Sequence, residues 1–195
     1  MRELLFWLFA AAVTQNVILT TGFGSSMLLR VLNKKSDILK FGGILSFFLI
    51  ATVLIDYPID IWMGLSQTAK LWRPVVMVGI AAALYAGVTA VTAALSVPFY
   101  KKIKPYVGPA AFNNLTIGLA MIANHKVALS FWETLGLAVG TCIGFMLLGW
   151  LTLEGRSRMD TANIPRSFRG VPVTFLYLGL VALAMMGFAG GTGLI

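Results

Sequence analysis

The sequence predicts an all-α integral membrane protein: six transmembrane helices, arranged as two inverted three-helix repeats, with helices one and four broken at the membrane midplane. Three observations carry this expectation. Of the 195 residues, 58% are hydrophobic and only 11% charged, where soluble domains carry about 25% charged residues. The charges fall between long apolar runs, and the mean hydropathy is +0.87. Finally, two of the runs contain the same kind of polar, glycine-rich interruption, Gln15 to Ser26 and Phe112 to Gly118.

Uncharged stretches run from Leu4 to Leu29, Phe41 to Ile55, Pro74 to Tyr100, Pro105 to Asn124, Thr134 to Leu153 and Gly170 to Ile195. A bilayer span takes about 20 apolar residues. The second stretch is shorter, so it either tilts or continues past Asp56 through Ile59 to Met63. The first follows only Arg2 and Glu3 and lacks a small-residue cleavage site after a short core, so it is expected to stay on the protein. The connections Asp56 to Arg73 and Glu154 to Arg169 are too short to fold alone. The chain therefore reads as one membrane domain over 1–195, and any soluble catalytic domain is expected on another chain.

The charges orient it. The loop after segment one holds Arg30, Lys34, Lys35 and Lys40 against Asp37, and the loop after segment three holds Lys101, Lys102 and Lys104 without an acid. The loop after segment five holds Arg156, Arg158, Arg166 and Arg169 against Glu154 and Asp160. The remaining loops hold Lys70, Arg73 and Lys126 against Asp56, Asp60 and Glu133. Basic loops stay inside, so the odd loops are expected in the cytoplasm and both termini outside. Topology and anionic lipid account for the net charge of +8, with no nucleic-acid partner implied.

Six segments with both ends on one side divide into three plus three, repeat one over about 1–100 and repeat two over about 101–195. An odd number of crossings inverts the second repeat relative to the first. The interrupted segments are the first of each repeat and would meet near the centre, the arrangement of inverted-repeat transporters. Broken helices survive in a membrane only where they are buried in protein or line a cavity. Asn16, Asn113 and Asn114 can satisfy the freed backbone groups, and Gly22, Gly24 and Gly118 permit non-helical dihedrals. The candidate site is therefore Asn16, Gly22, Gly24, Ser25, Ser26, Asn113, Asn114 and Gly118. Ala82, Ala86, Ala90 and Ala94 on segment three, and Gly179, Gly187 and Gly190 on segment six, read as ordinary close helix packing.

Enzyme constellations are missing from the sequence. His125 reads as an interfacial polar residue and Cys142 as a small buried hydrophobe; one of each cannot build a closed four-ligand metal site. Asp56 and Asp60 flank Pro58 at the end of segment two and Glu133 precedes segment five, where solvated helix ends are expected. If segment two runs deep, Asp56 becomes the candidate for a cation or proton path, because a carboxylate inside the membrane is rarely idle.

The stretch Ile164-Pro165-Arg166-Ser167-Phe168-Arg169-Gly170-Val171-Pro172, followed by Gly179 to Phe188, resembles the last loop and helix of the small membrane subunits of Rnf and Nqr ion-translocating electron-transport complexes, closest to the Rnf A / Nqr E type. Asn16 through Gly24, Asn113 and Gly118 fit the same pattern, over essentially the whole chain. The resemblance implies three things about the setting: a partner that is an inverted paralogous membrane protein, flavin- or iron–sulfur-bearing subunits in the same complex, and a prokaryotic cytoplasmic membrane. In that family each broken helix carries a cysteine, in a Gly-x-Cys-Pro turn and a Thr-Asn-Cys turn, and the two paralogues share an intramembrane 2Fe-2S cluster. Here the matching positions are Ser26 and Asn114. Thiolates hold such clusters, so no cofactor is expected on this chain alone.

The first functional reading is a non-catalytic, structural or ion-path subunit of an Rnf/Nqr-like complex coupling electron transfer to Na+ or H+ translocation. Two others come from different classes: a substrate-binding membrane component of a vitamin or cofactor transporter, and a stand-alone ion channel or carrier.

Overall fold

The computed structural model describes residues 2–14, 16–30, 35–64, 67–125, 130–161 and 164–188. Gln15, Lys34, Lys126 and Gly190 lie outside the described residues, as do the side chains of Arg30, Lys35, Lys70, Asn124, His125 and Asp160. The described residues form helices and connecting turns, without strands.

The first segment is a chain of short pieces rather than one helix. Helix α1 (Arg2–Phe9) runs into a π-helical turn (Ala10–Thr14), and α2 (Val17–Thr21) and α3 (Ser25–Arg30) follow after two breaks. Then come α4 (Lys35–Met63) and α5 (Gln67–Leu95), both unbroken. The fourth segment splits into α6 (Val97–Ala111) and α7 (Asn114–His125). Helix α8 (Phe131–Thr161) is continuous, and α9 (Val171–Phe188) follows a short 3-10 turn at Arg166–Phe168. Three stretches are long and apolar enough to cross a bilayer, Ser36–Met63, Leu71–Leu95 and Phe131–Met159, and Asn114–Ala123 and Val171–Gly187 are shorter apolar helices.

Segment two takes the longer of its two expected courses: α4 continues to Met63, and Asp56 is buried at 3% exposure, so the expectation of a solvated helix end at that residue is wrong, and three further boundaries differ from the sequence reading. The neighbouring Asp60–Arg73 ion pair, at 2.7 Å, gives the physical reason. It neutralises the α4–α5 turn, with Arg73 also donating to the Gly64 carbonyl at 3.3 Å, so the helices extend beyond their apolar runs. Arg73, counted above as a loop charge, is thus a buried residue of α5. Likewise Lys101, Lys102 and Lys104 belong to α6, and Glu154, Arg156 and Arg158 to α8. Long basic side chains reach water from a helix end while their stems stay on apolar surface.

Lipid supplies no hydrophobic force between helices, so close packing holds them. The central seam joins α4 and α8, which run antiparallel: Phe41 meets Phe145 at 5.8 Å at one end and Tyr57 meets Phe131 at 5.6 Å at the other. Around it Leu45, Phe48, Leu49, Leu115, Leu119 and Leu137 are fully buried. Helix α1 lies on the opposite face of α8 along Gly136, Gly140 and Gly144. A Cβ at Gly136 would sit 2.5 Å from the Leu4 carbonyl oxygen, and one at Gly140 would strike that of Leu8. Trp7 ties the same pair by donating to Glu133 at 3.3 Å. Helices α5 and α9 bury one side, with Met77, Ile80 and Leu178, and turn many other apolar side chains outward, among them Leu71, Val78, Leu95, Leu176, Leu180 and Leu183.

Candidate functional site

The two interruptions use the same device. Asn16 precedes α2, and its Oδ1 accepts from the Ile18 N–H at 3.0 Å. Asn113 precedes α7, and its Oδ1 accepts from the Leu115 N–H at 3.0 Å. Each side chain thereby takes up one of the amide donors that a helix start leaves open. The backbone carbonyls act in parallel: Asn16 accepts from the Thr20 N–H at 3.0 Å and Asn113 from the Ile117 N–H at 3.1 Å. Asparagine suits this role because its short amide reaches two residues ahead while its backbone tolerates the non-helical turn.

The first break has a second part. Gly22 ends α2 in the left-handed region at φ +74°, and its N–H returns to the Ile18 carbonyl. Gly24 is left-handed too, at φ +80°. Between them Phe23 donates its N–H to the Thr21 hydroxyl at 3.2 Å, and the Ser25 hydroxyl donates to the Gly22 carbonyl at 2.6 Å. These hydroxyls satisfy backbone groups that lipid could not.

The breaks also touch each other. The Gly24 N–H donates to Asn114 Oδ1 at 2.9 Å, across 90 positions of sequence. A Cβ at Gly24 would approach Leu115 at 3.2 Å, and one at Gly118 would fall into the Phe23 ring. Both glycines therefore serve contact across the pair, and Gly24 its left-handed φ as well; Gly118, expected from sequence to permit non-helical dihedrals, instead lies inside helix α7, where the missing side chain makes room for the Phe23 ring. Asn16 is anchored on the other side, donating Nδ2 to the Ala12 carbonyl at 3.1 Å beside Gly144.

Of the eight predicted residues, Gly24 and Asn114 bond across the two breaks and Gly22 and Ser25 bond within the first, while Asn16 and Asn113 cap their own helices, Gly118 faces Phe23, and Ser26 sits two residues beyond Gly24 on α3. Ser26 and Asn114 are both exposed, so the junction faces out of the bundle, whereas Asn16 and Asn113 are buried. Asp56 lies elsewhere, on α4, one turn from the buried Thr52. Gly136, Gly140 and Gly144, which seat α1 and Asn16, were missed by the sequence reading. Their G-x-x-x-G-x-x-x-G spacing is the signal that finds them.

Chemically the junction offers amide and hydroxyl oxygens and backbone N–H groups, all uncharged. An iron–sulfur cluster needs thiolates. Ser26 and Asn114 supply a hydroxyl and an amide, while Cys142 lies on α8 with its Sγ toward the Ser46 carbonyl at 4.0 Å. This donor set does not fit the cluster. Among the described residues no group of three or more His, Cys, Asp or Glu gathers as a metal site.

Fold and junction define a multi-helix membrane protein built around two interrupted helices, joined where Asn114 of the second accepts from the Gly24 N–H of the first. Residues 4–192 match the family described as "Rnf-Nqr subunit, membrane protein", and the chain belongs to that family. It is 26% identical over 190 residues to the A-type subunit of the ion-translocating oxidoreductase complex of Syntrophotalea carbinolica, covering 97% of this chain and 98% of that one. It is also 26% identical over 187 residues to the A-type subunit of the Na(+)-translocating ferredoxin:NAD(+) oxidoreductase complex of Acetobacterium woodii, covering 96% and 97%. The corresponding ion-translocating oxidoreductase protein of an Azoarcus strain is 26% identical over 192 residues, covering 98% and 99%. Membership favours the first of the three functional readings.

Proposed function

We propose that this chain is the membrane-embedded A-type subunit of an Rnf/Nqr-like complex that couples electron transfer to Na+ or H+ translocation. The observation that carries the reading is the Gly24 to Asn114 junction of two identically capped breaks, in a chain matching relatives of that name from end to end. In this proposal the chain holds no cluster of its own. Ser26 and Asn114 occupy the exposed positions through which relatives would share one with a paralogue, and they serve as a packing surface or water-lined seam.

The proposal includes the finer architecture. The segments 2–30, 35–63 and 67–95 form one repeat, and 97–125, 131–161 and 171–188 its inverted counterpart. The matched roles of Asn16 and Asn113 support this pairing. Partners are an inverted paralogue against the junction face, flavin- and iron–sulfur-bearing subunits that carry the redox chemistry, and lipid. The complex sits in the cytoplasmic membrane of a prokaryote, with both termini of this chain outside.

Asp56 enters as the ion-path candidate. It is buried on α4, and Thr52, one turn before it, is also buried with a hydroxyl that lacks a hydrogen-bond partner among the described residues. Residues four apart share a helix face, so a carboxylate and a hydroxyl lie together on one buried face of α4, the composition expected along a path for a small cation or proton.

The test is to delete the gene and assay membrane vesicles for ion uptake driven by electron transfer, then to measure iron and the EPR spectrum of the complex purified through this chain. Coupled uptake should disappear and return on complementation. Undiminished uptake in the deletion strain would sink the assignment. A stoichiometric 2Fe-2S signal that is lost when Ser26 and Asn114 are replaced would sink the cluster-free part alone.

A further inference from the structure

A groove of about 330 Å³ opens between α4 and α6, lined by Lys40 and Ile44 from the first and by Phe99, Lys102, Ile103 and Tyr106 from the second. None of these residues belongs to the Gly24 to Asn114 junction, and the groove plays no part in the reading above. The helix directions give it polarity. Helix α5 runs antiparallel to α4, because Arg73 near the start of one pairs with Asp60 near the end of the other. It also runs antiparallel to α6, because its Tyr85 meets Phe112 at the far end of that helix, at 5.5 Å. Helices α4 and α6 are therefore parallel, and both enter from the same membrane surface.

On each helix a lysine comes first and an isoleucine follows one position or one turn deeper: Lys40 then Ile44, and Lys102 then Ile103. Both lysines are exposed, while Ile44, Ile103 and Tyr106 are half-buried. Among the described residues, no acidic residue lines the groove. Lys101 is the adjacent residue on α6, and Lys104 lies over the Tyr100 ring at 5.6 Å, which adds positive charge at the same level. The result is a cationic rim over an apolar floor, in the order that a phospholipid presents its phosphate and its chains. Basic pockets between membrane helices at a bilayer surface bind anionic head groups, and lysine stems lie along apolar surface while their ammonium groups stay at the interface.

We infer that this groove is a binding site for an anionic glycerophospholipid of the phosphatidylglycerol or cardiolipin class. Its phosphate is held between Lys40 and Lys102, and an acyl chain lies against Ile44, Ile103 and Tyr106. A zwitterionic lipid gains less, because its own ammonium meets the lysine rim.

Native mass spectrometry of the purified full-length chain tests this, by titration with phosphatidylglycerol and with phosphatidylcholine of the same acyl chains. Phosphatidylglycerol should bind at least tenfold more tightly, and inorganic phosphate should not displace it. At about fivefold per lysine near a membrane surface, K40Q/K102Q should weaken phosphatidylglycerol binding roughly thirtyfold, while R2Q, at the opposite end of the bundle beside the Trp7–Glu133 contact, changes it little. Ile103→Trp fills the floor without altering charge and should also abolish tight binding, which covers the case where the double glutamine variant fails to fold. Equal affinity for the two lipids, displacement by inorganic phosphate alone, or full binding by I103W would each overturn the assignment.

Discussion

Asn16 and Asn113 make the same capping bond, yet they should respond very differently to removal. Asn16→Ala strips the Ile18 N–H of its acceptor and the Ala12 carbonyl of its donor, both in a buried setting. Leaving a buried polar group unpaired costs about 1–3 kcal/mol, so the two orphans together cost about 4 kcal/mol. Asn113→Ala orphans only the Leu115 N–H, because Asn113 Nδ2 is buried without a hydrogen-bond partner among the described residues. Deleting that unpaired donor returns a similar about 1–3 kcal/mol, and the net effect stays within about 1 kcal/mol. For a chain of this size about 1 kcal/mol moves Tm by roughly 2–4 °C. N16A should therefore lose about 8–16 °C and N113A less than about 4 °C. Thermal melts of the detergent-purified chain, read as the monodisperse fraction on size exclusion, measure both. Equal losses would refute the reasoning, since they would require Asn113 Nδ2 to have a partner as good as the Ala12 carbonyl.

Other outcomes follow from the same contacts. Gly140→Ala and Gly144→Ala drive a methyl into the Leu8 carbonyl and into Asn16 respectively; each should cost about 1–3 kcal/mol as overpacking, read as a lower melting temperature in the same assay. Arg73→Met leaves Asp60, which is only 17% exposed, beside an empty partner position. Breaking such a pair costs about 3–5 kcal/mol when fully buried, so a loss near about 3 kcal/mol is expected, with D60N/R73M recovering at least half of it in the same melt. Asp56→Asn should cut ion uptake by the reconstituted complex at least tenfold while its electron transfer continues; unchanged uptake would remove Asp56 from the path.

Much of this was readable in the linear sequence. Composition places the chain in the membrane because a bilayer excludes charge from its core, and that argument needs no contacts. The two breaks were legible for a similarly local reason. Asparagine, threonine and glycine in an apolar run carry a cost that a broken helix explains, and the residues singled out lie at or beside the interruptions, apart from Gly118, which is helical within α7 and makes room for Phe23. The glycine face of α8 is equally visible in its spacing, but spacing alone does not say which helix such a face receives.

What sequence could not supply is which residues meet. Asp56 and Arg73 looked like boundary charges because flanking hydropathy is blind to a partner on the next helix, and the Asp60–Arg73 pair is what lets α4 and α5 extend past their apolar runs. The breaks could be paired on paper by symmetry, but only packing decided that Asn114 caps Gly24 and that Phe23 occupies the space left by Gly118. Local chemistry fixes where a helix must stop, because unpaired backbone groups are costly wherever they lie. The tertiary structure decides what satisfies them, because the partner comes from a segment some ninety positions away.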